Sequence, residues 1–187
     1  MMKIAIFFAP GFEEIEALTP ADVLRRAGFE VDLLGLEPVV EGAHQIKVTM
    51  DKVLDQVIDG YDLIVLPGGM PGADNLRKNH FVIESIKKQA NSGKKVAAIC
   101  AAPIVLEAAG LLEDRNFTNY PGFEEQISHG TYLDDRLFVV DGNITTSKGP
   151  GTALEFSYQL VDSLGGDAQT LKEDMQYNFL QEIIRKK

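Results

Sequence analysis

The sequence predicts a single α/β domain built on a mainly parallel sheet, and three observations carry that reading. Short runs rich in β-branched residues alternate with segments of helical pattern, the mark of successive βαβ units. The chain has 187 residues, enough for one domain with a substantial core. No internal repeat, low-complexity tract or linker divides it.

Lys3 to Phe8 (KIAIFF) is a buried strand. Thr19-Pro20-Ala21-Asp22 opens a helix: Thr caps it, Pro stands in the first turn and Asp follows there. Leu24 and Ala27 continue its apolar face until Gly28 stops it. Glu30 to Leu36 is the second strand, and Val39 to Met50 holds an extra strand or hairpin near Gln45 to Met50. Asp62 to Leu66 is a strand ending in Pro67-Gly68-Gly69. A helix from about Phe81 to Asn91 follows, closed by Gly93. Lys95 to Ile99 (KVAAI) runs straight into Cys100, and Ala101 to Ala109 is a helix ended by Gly110. Arg136 to Thr146 reads as a hairpin about Asp141-Gly142. Gly149-Pro150-Gly151 precedes a helix from Thr152 to Leu164, and Ala168 to Lys187 reads as one polar amphipathic helix packed outside.

Composition removes several function classes. Apolar residues make up 45% and charged residues 25%, as in ordinary soluble globular proteins. A net charge of −10 argues against a nucleic-acid partner and leaves no polybasic anchor for a membrane surface. No apolar run approaches the roughly 20 residues needed to span a bilayer. The N-terminal apolar run is short and followed by acids, so it reads as a strand and not as a signal peptide. The single cysteine cannot form an internal disulfide, which fits a reducing compartment, and a cytoplasmic location is expected.

Cys100 falls where a strand passes into a helix. In an open parallel sheet, ligands bind at such C-terminal strand ends. The unpaired N–H groups and positive end of a helix stabilise a thiolate and can hold an oxyanion. The small residues Ala101 and Ala102 leave space over the sulfur, as in a nucleophile elbow. Position alone leaves open a second reading, a buried structural thiol. Gly68 and Gly69 end a neighbouring strand and allow close backbone approach to a ligand, although a simple turn would also use them. Glu13, Glu14 and Glu16 follow the first strand at the same edge. They fit either solvated partners of a helix dipole or an inward-turned carboxyl that keeps its proton and donates to the thiolate. Spacing does not choose among the three.

Four blocks together resemble the ThiJ/PfpI family of the class I glutamine amidotransferase-like superfamily, and within it the Parkinson-disease-protein branch. They are Gly11-Phe12-Glu13-Glu14-Ile15-Glu16 with Pro20 and Asp22 to Gly28; Leu66 to Gly69 with Ala73, Asn75 and Leu76; Ala98-Ile99-Cys100-Ala101 with Pro103; and Thr146 to Thr152. The resemblance implies a flavodoxin-like three-layer α/β/α sandwich, a homodimer, and a nucleophilic Cys100 above a protonated Glu16. It implies an oxyanion pocket of the Gly69 and Ala101 N–H groups beside Gly68, and it matches His129 to a family histidine at the mouth of the site. A lone loop His is otherwise a surface or structural residue.

Departures narrow the activity. Ala101 follows Cys100, so the Cys-His pair of the family's protease and chaperone branches is absent, as is the Gly-x-Cys-x-Gly elbow of glutamine amidotransferases. Lys148 stands where close relatives carry Arg, which loses bidentate anion binding. With no second Cys there is no internal resolving thiol for a peroxidase cycle. The expected function is cysteine-dependent chemistry on small reactive carbonyls, of the glutathione-independent glyoxalase or deglycase type, with a small aldehyde as substrate. The rival is a stress sensor or chaperone whose Cys100 oxidises to sulfinate without turnover. His44, His80 and His129 have no ligand-like spacing, so neither metal nor cofactor is expected, although spacing leaves open a cluster gathered by the fold.

Overall fold

The computed structural model describes residues 1–186. The strand β1 (Lys3–Phe8) is fully buried from Ile4 to Phe8, the continuous apolar run expected of a strand covered on both faces. The helix α1 (Glu14–Arg26) leads to β2 (Glu30–Gly35), which pairs in parallel with β1. The weak stretch after it forms a hairpin of β3 (Val39–Glu41) and β4 (Lys47–Thr49), and β5 (Lys52–Val53) adds a short edge strand beside β2. Then come β6 (Leu63–Leu66), α2 (Gly72–Lys78), α3 (His80–Asn91), β7 (Lys95–Ile99) and α4 (Pro103–Ala108). A small parallel pair, β8 (Asn116–Phe117) with β9 (Thr131–Tyr132), precedes the hairpin β10 (Phe138–Asp141) and β11 (Ile144–Ser147). The chain finishes with α5 (Ala153–Ser163), α6 (Ala168–Asp174) and α7 (Tyr177–Arg185).

The central sheet runs β10-β11-β7-β6-β1-β2-β5, parallel except for β10. From β1 the chain moves one way to β2, and from β6 it moves the opposite way to β7. Right-handed crossovers therefore set α1 and α3 on opposite faces, which gives the α/β/α layering. The order reverses between β1 and β6, and the mouth of an open sheet lies at such a reversal.

Two expectations need correction. The first helix starts at Glu14 and not at the Thr19-Pro20 signal, so Pro20 lies inside it. A proline there removes a hydrogen bond at a cost of about 3 kcal/mol. Burial of Ala17, Pro20, Ala21 and Leu24 offsets the loss, and a hydrogen bond from the Glu13 N–H to the Gly68 carbonyl (2.9 Å) fixes the helix start. The single C-terminal helix is two: Gln176, at φ +60°, breaks it between α6 and α7. Its expected last residue, Lys187, lies outside the described residues. The short α2 carries little sequence pattern of its own.

Candidate active site

Three loops meet at the C-terminal edge of the sheet: the one after β1 leading into α1, the one after β6, and the turn from β7 into α4. Cys100 occupies that turn at φ +65°, a left-handed conformation that a residue with a Cβ enters at a cost of order 1–3 kcal/mol. Its N–H donates to the Ser147 carbonyl (2.9 Å), and its carbonyl accepts from the Tyr120 N–H (3.0 Å). The elbow is thereby pinned between β11 and the loop after β8. The thiol is 9% exposed, and the small Ala101 and Ala102 pack beside it.

Glu16 is the acid that turns inward. It lies in the first turn of α1 with no exposed surface, and its Oε2 accepts from the Gly68 N–H (2.9 Å). Its Oε1 is buried with no hydrogen-bond partner among the described residues, and the Cys100 thiol is close enough to lower its pKa. Gly68 is required by this approach: a Cβ there would stand 2.6 Å from Glu16 Oε2, 2.7 Å from Cys100 Cβ and 2.9 Å from the Ala101 nitrogen. Gly69 takes φ +86°, and a Cβ on it would meet the Glu13 nitrogen at 2.3 Å. The N–H groups of Gly69 and Ala101, the expected oxyanion donors, lie near enough to the Cys100 thiol to lower its pKa.

Burial pushes the Glu16 carboxyl up to about 7, and the nearby charge of Glu13 adds to this. The thiol and the Gly68 N–H pull the other way. Burial likewise pushes the Cys100 thiol up, and a charged Glu16 pushes it further, while the Gly69 and Ala101 N–H groups pull it down. A site this dry holds at most one negative charge on the pair. When Glu16 keeps its proton, its repulsion of the sulfur vanishes and its O–H can donate to a thiolate. Both shifts run upward, so below about pH 7 the carboxyl keeps its proton and the thiol stays neutral.

His129 is not joined to this pair. It lies on the loop before β9, with its side chain 59% exposed, and its Nδ1 is 2.8 Å from Glu107 on α4. That carboxylate raises its pKa. Lys148 donates to the Asp134 carbonyl and to the Tyr132 hydroxyl (3.3 Å), so it ties down the segment before β10. The chain instead brings Asn119 and Tyr120 to the elbow. The Tyr120 ring lies against Gly149, and Asn119 is fully buried with neither side-chain polar atom hydrogen-bonded among the described residues. The only sequence signal for them was a polar pair before the Pro121-Gly122 turn.

The DJ-1/PfpI family profile matches residues 2–163. The chain belongs to the DJ-1/PfpI family. Protein dj-1beta of Drosophila melanogaster is 39% identical over 165 residues, covering 86% of this chain and 88% of that one. A Caenorhabditis elegans family member named glutathione-independent glyoxalase DJR-1.2 is 38% identical over 162 residues, covering 84% and 86%. The crystal structure of Drosophila melanogaster DJ-1beta superposes with a TM-score of 0.89 at 37% identity, covering 93% of this chain and 97% of that one. The structure of oxidized Toxoplasma gondii DJ-1 gives 0.84 at 34% identity, covering 96% and 98%. These DJ-1 structures share the layered sandwich described above.

Proposed function

We propose that this DJ-1/PfpI family member is a cysteine-dependent enzyme that converts small 2-oxoaldehydes such as methylglyoxal to hydroxy acids. The observation that carries the reading is the left-handed elbow that sets Cys100 against Gly68, whose N–H holds the buried Glu16 carboxyl at 2.9 Å. The thiolate adds to the aldehyde carbon, and the Glu16 proton goes to the new alkoxide, giving a hemithioacetal. The Glu16 carboxylate then takes the hydrogen from that carbon as a proton and returns it to the neighbouring carbonyl carbon through an enediol. The product is a 2-hydroxyacyl thioester on Cys100. Water hydrolyses it, releasing lactate and the thiol. One water is consumed, no external oxidant or reductant is needed, and the two N–H groups lie where oxygen charge develops. Removal of early glycation adducts follows from the same aldehyde chemistry. His129, hydrogen-bonded to Glu107, carries no step.

The name of the Caenorhabditis elegans relative supports the same substrate class. Exposed Ile15 and Ile46, beside Pro150, supply an apolar face that the proposed homodimer would cover. The lone thiol suits a reducing cytoplasm.

The second reading, a sensor without turnover, is favoured by the same N–H groups, which would hold a sulfinate, and by the oxidized state of the Toxoplasma gondii relative. Lactate formation from methylglyoxal separates the two. Turnover by wild type, lost in Cys100→Ser and sharply reduced in Glu16→Gln, is the expected result. Absence of lactate together with rapid peroxide conversion of Cys100 to sulfinate would leave the sensor. Glu16→Gln keeps a donor near sulfur, so its Cys100 is expected to alkylate within a few-fold of wild type while turnover falls sharply.

A further inference from the structure

The segment 117–120 leaves the β8–β9 pair and runs past the end of β11 to the elbow. The Thr118 N–H donates to Thr146 Oγ1 (2.9 Å), and the Tyr120 N–H donates to the Cys100 carbonyl (3.0 Å). Thr146 pairs with Ala98 on β7, two residues before the cysteine. Asn119 stands between these anchors, one residue from the contact that pins the nucleophile. Tyr120 is 48% exposed, so solvent is reached within one residue of Asn119.

Asn119 itself has no exposed surface, and neither Nδ2 nor Oδ1 has a hydrogen-bond partner among the described residues. The neighbouring Thr118 hydroxyl is also buried and unpaired, which sets three orphaned polar atoms on two consecutive residues. Gln89, the other amide among the buried polar side chains, shows how this fold treats a structural amide: its Nε2 donates to the Tyr61 and Lys95 carbonyls (3.1 and 3.2 Å). A buried amide without partners lowers stability, and native folds keep few of them. Such violations concentrate at functional sites. We propose that the Asn119 amide is a substrate-positioning group of the Cys100 site, which binds the second carbonyl oxygen of a 2-oxoaldehyde. The proposal rests on the aldehyde chemistry given above and adds what selects dicarbonyls over simple aldehydes. In that chemistry the 2-oxo oxygen begins as a ketone, which only accepts, and becomes an enediol hydroxyl, which also donates. An amide with both ends free serves both states: Nδ2 donates to the ketone, and Oδ1 accepts from the hydroxyl. No bond to Asn119 forms or breaks. A simple aldehyde has no second oxygen and leaves the amide unpaired, so the site discriminates against it.

The test reads adduct formation in a Glu16→Gln background, where turnover is low and Cys100 still reacts. Methylglyoxal and propanal are titrated as protectants of Cys100 against iodoacetamide, with and without Asn119→Leu. Comparing both aldehydes before and after the substitution cancels the greater electrophilicity of methylglyoxal. Asn119→Leu should weaken methylglyoxal about three- to tenfold, the strength of one hydrogen bond, and leave propanal unchanged. Leucine fills a similar volume without an unpaired group, so the melting temperature should equal or exceed that of the parent. Asn119→Ala supplies the same ratio if circular dichroism shows that the leucine variant does not fold. An unchanged methylglyoxal-to-propanal ratio would overturn the proposal, and a lower melting temperature beside it would make Asn119 a structural residue. Equal weakening of both aldehydes would put the effect on the thiol and overturn it too. Absence of lactate from wild type would overturn the enzyme reading, and the adduct ratio would still decide for or against Asn119.

Discussion

Glu16 and Cys100 share a dry site that tolerates at most one negative charge, and this links the titration of Glu16 to folding. The Glu16 carboxyl titrates at about 7 in the folded chain against an ordinary 4.5. Between those values the folded state binds the proton and the unfolded state has lost it. The stabilisation is therefore complete below about pH 4.5 and fades as pH rises toward 7, with a slope of at most about 1.4 kcal/mol per pH unit. Urea midpoints across this window should fall with pH in wild type. In Glu16→Gln that component of the slope should vanish; an unchanged slope would place the proton elsewhere. The sequence located Cys100 on its turn because KVAAI followed by small residues is a local pattern. It did not choose among Glu13, Glu14 and Glu16, because the choice depends on which face of α1 meets Gly68, 52 residues away. Resemblance alone supplied Glu16.

At the scale of elements, local signals succeeded where one segment decided its own conformation. The buried strands and the turn after β10 are of this kind. They failed where a distant partner decided. Thr19-Pro20 is a sound helix start in isolation, yet the Gly68 carbonyl recruits Glu13 and moves the start upstream. The β3–β4 hairpin was only dimly legible for the same reason: Glu14, on another element, holds its loop by both the backbone N–H and the ring of His44. Glu14→Ala should therefore loosen the hairpin while leaving the sheet intact. A stability loss of about 1–3 kcal/mol is expected, with faster amide exchange confined to Val39–Thr49. Uniformly faster exchange through β1 and β7 would mean that Glu14 supports the core instead.

For the whole molecule, parallel pairing was legible from alternation, but strand order was not. Nothing local says that β6 joins β1 on the side away from β2, and that reversal is what puts Gly68 beside Glu16. The charge of −10 also belongs to this scale. Like charges repel more in the compact state than in the expanded chain, and salt screens them over about 8–10 Å at moderate ionic strength. Adding sodium chloride up to physiological strength should raise the melting temperature, and a fall would show that the surface ion pairs outweigh the repulsion. If the homodimer forms through Ile15 and Ile46, Ile46→Glu should halve the mass measured by light scattering.

The left-handed backbone at Cys100 has a further meaning. Glycine would sit there without strain, so Cys100→Gly should melt higher than the wild type while losing its chemistry. On the proposed function, the more stable chain would be the inactive one.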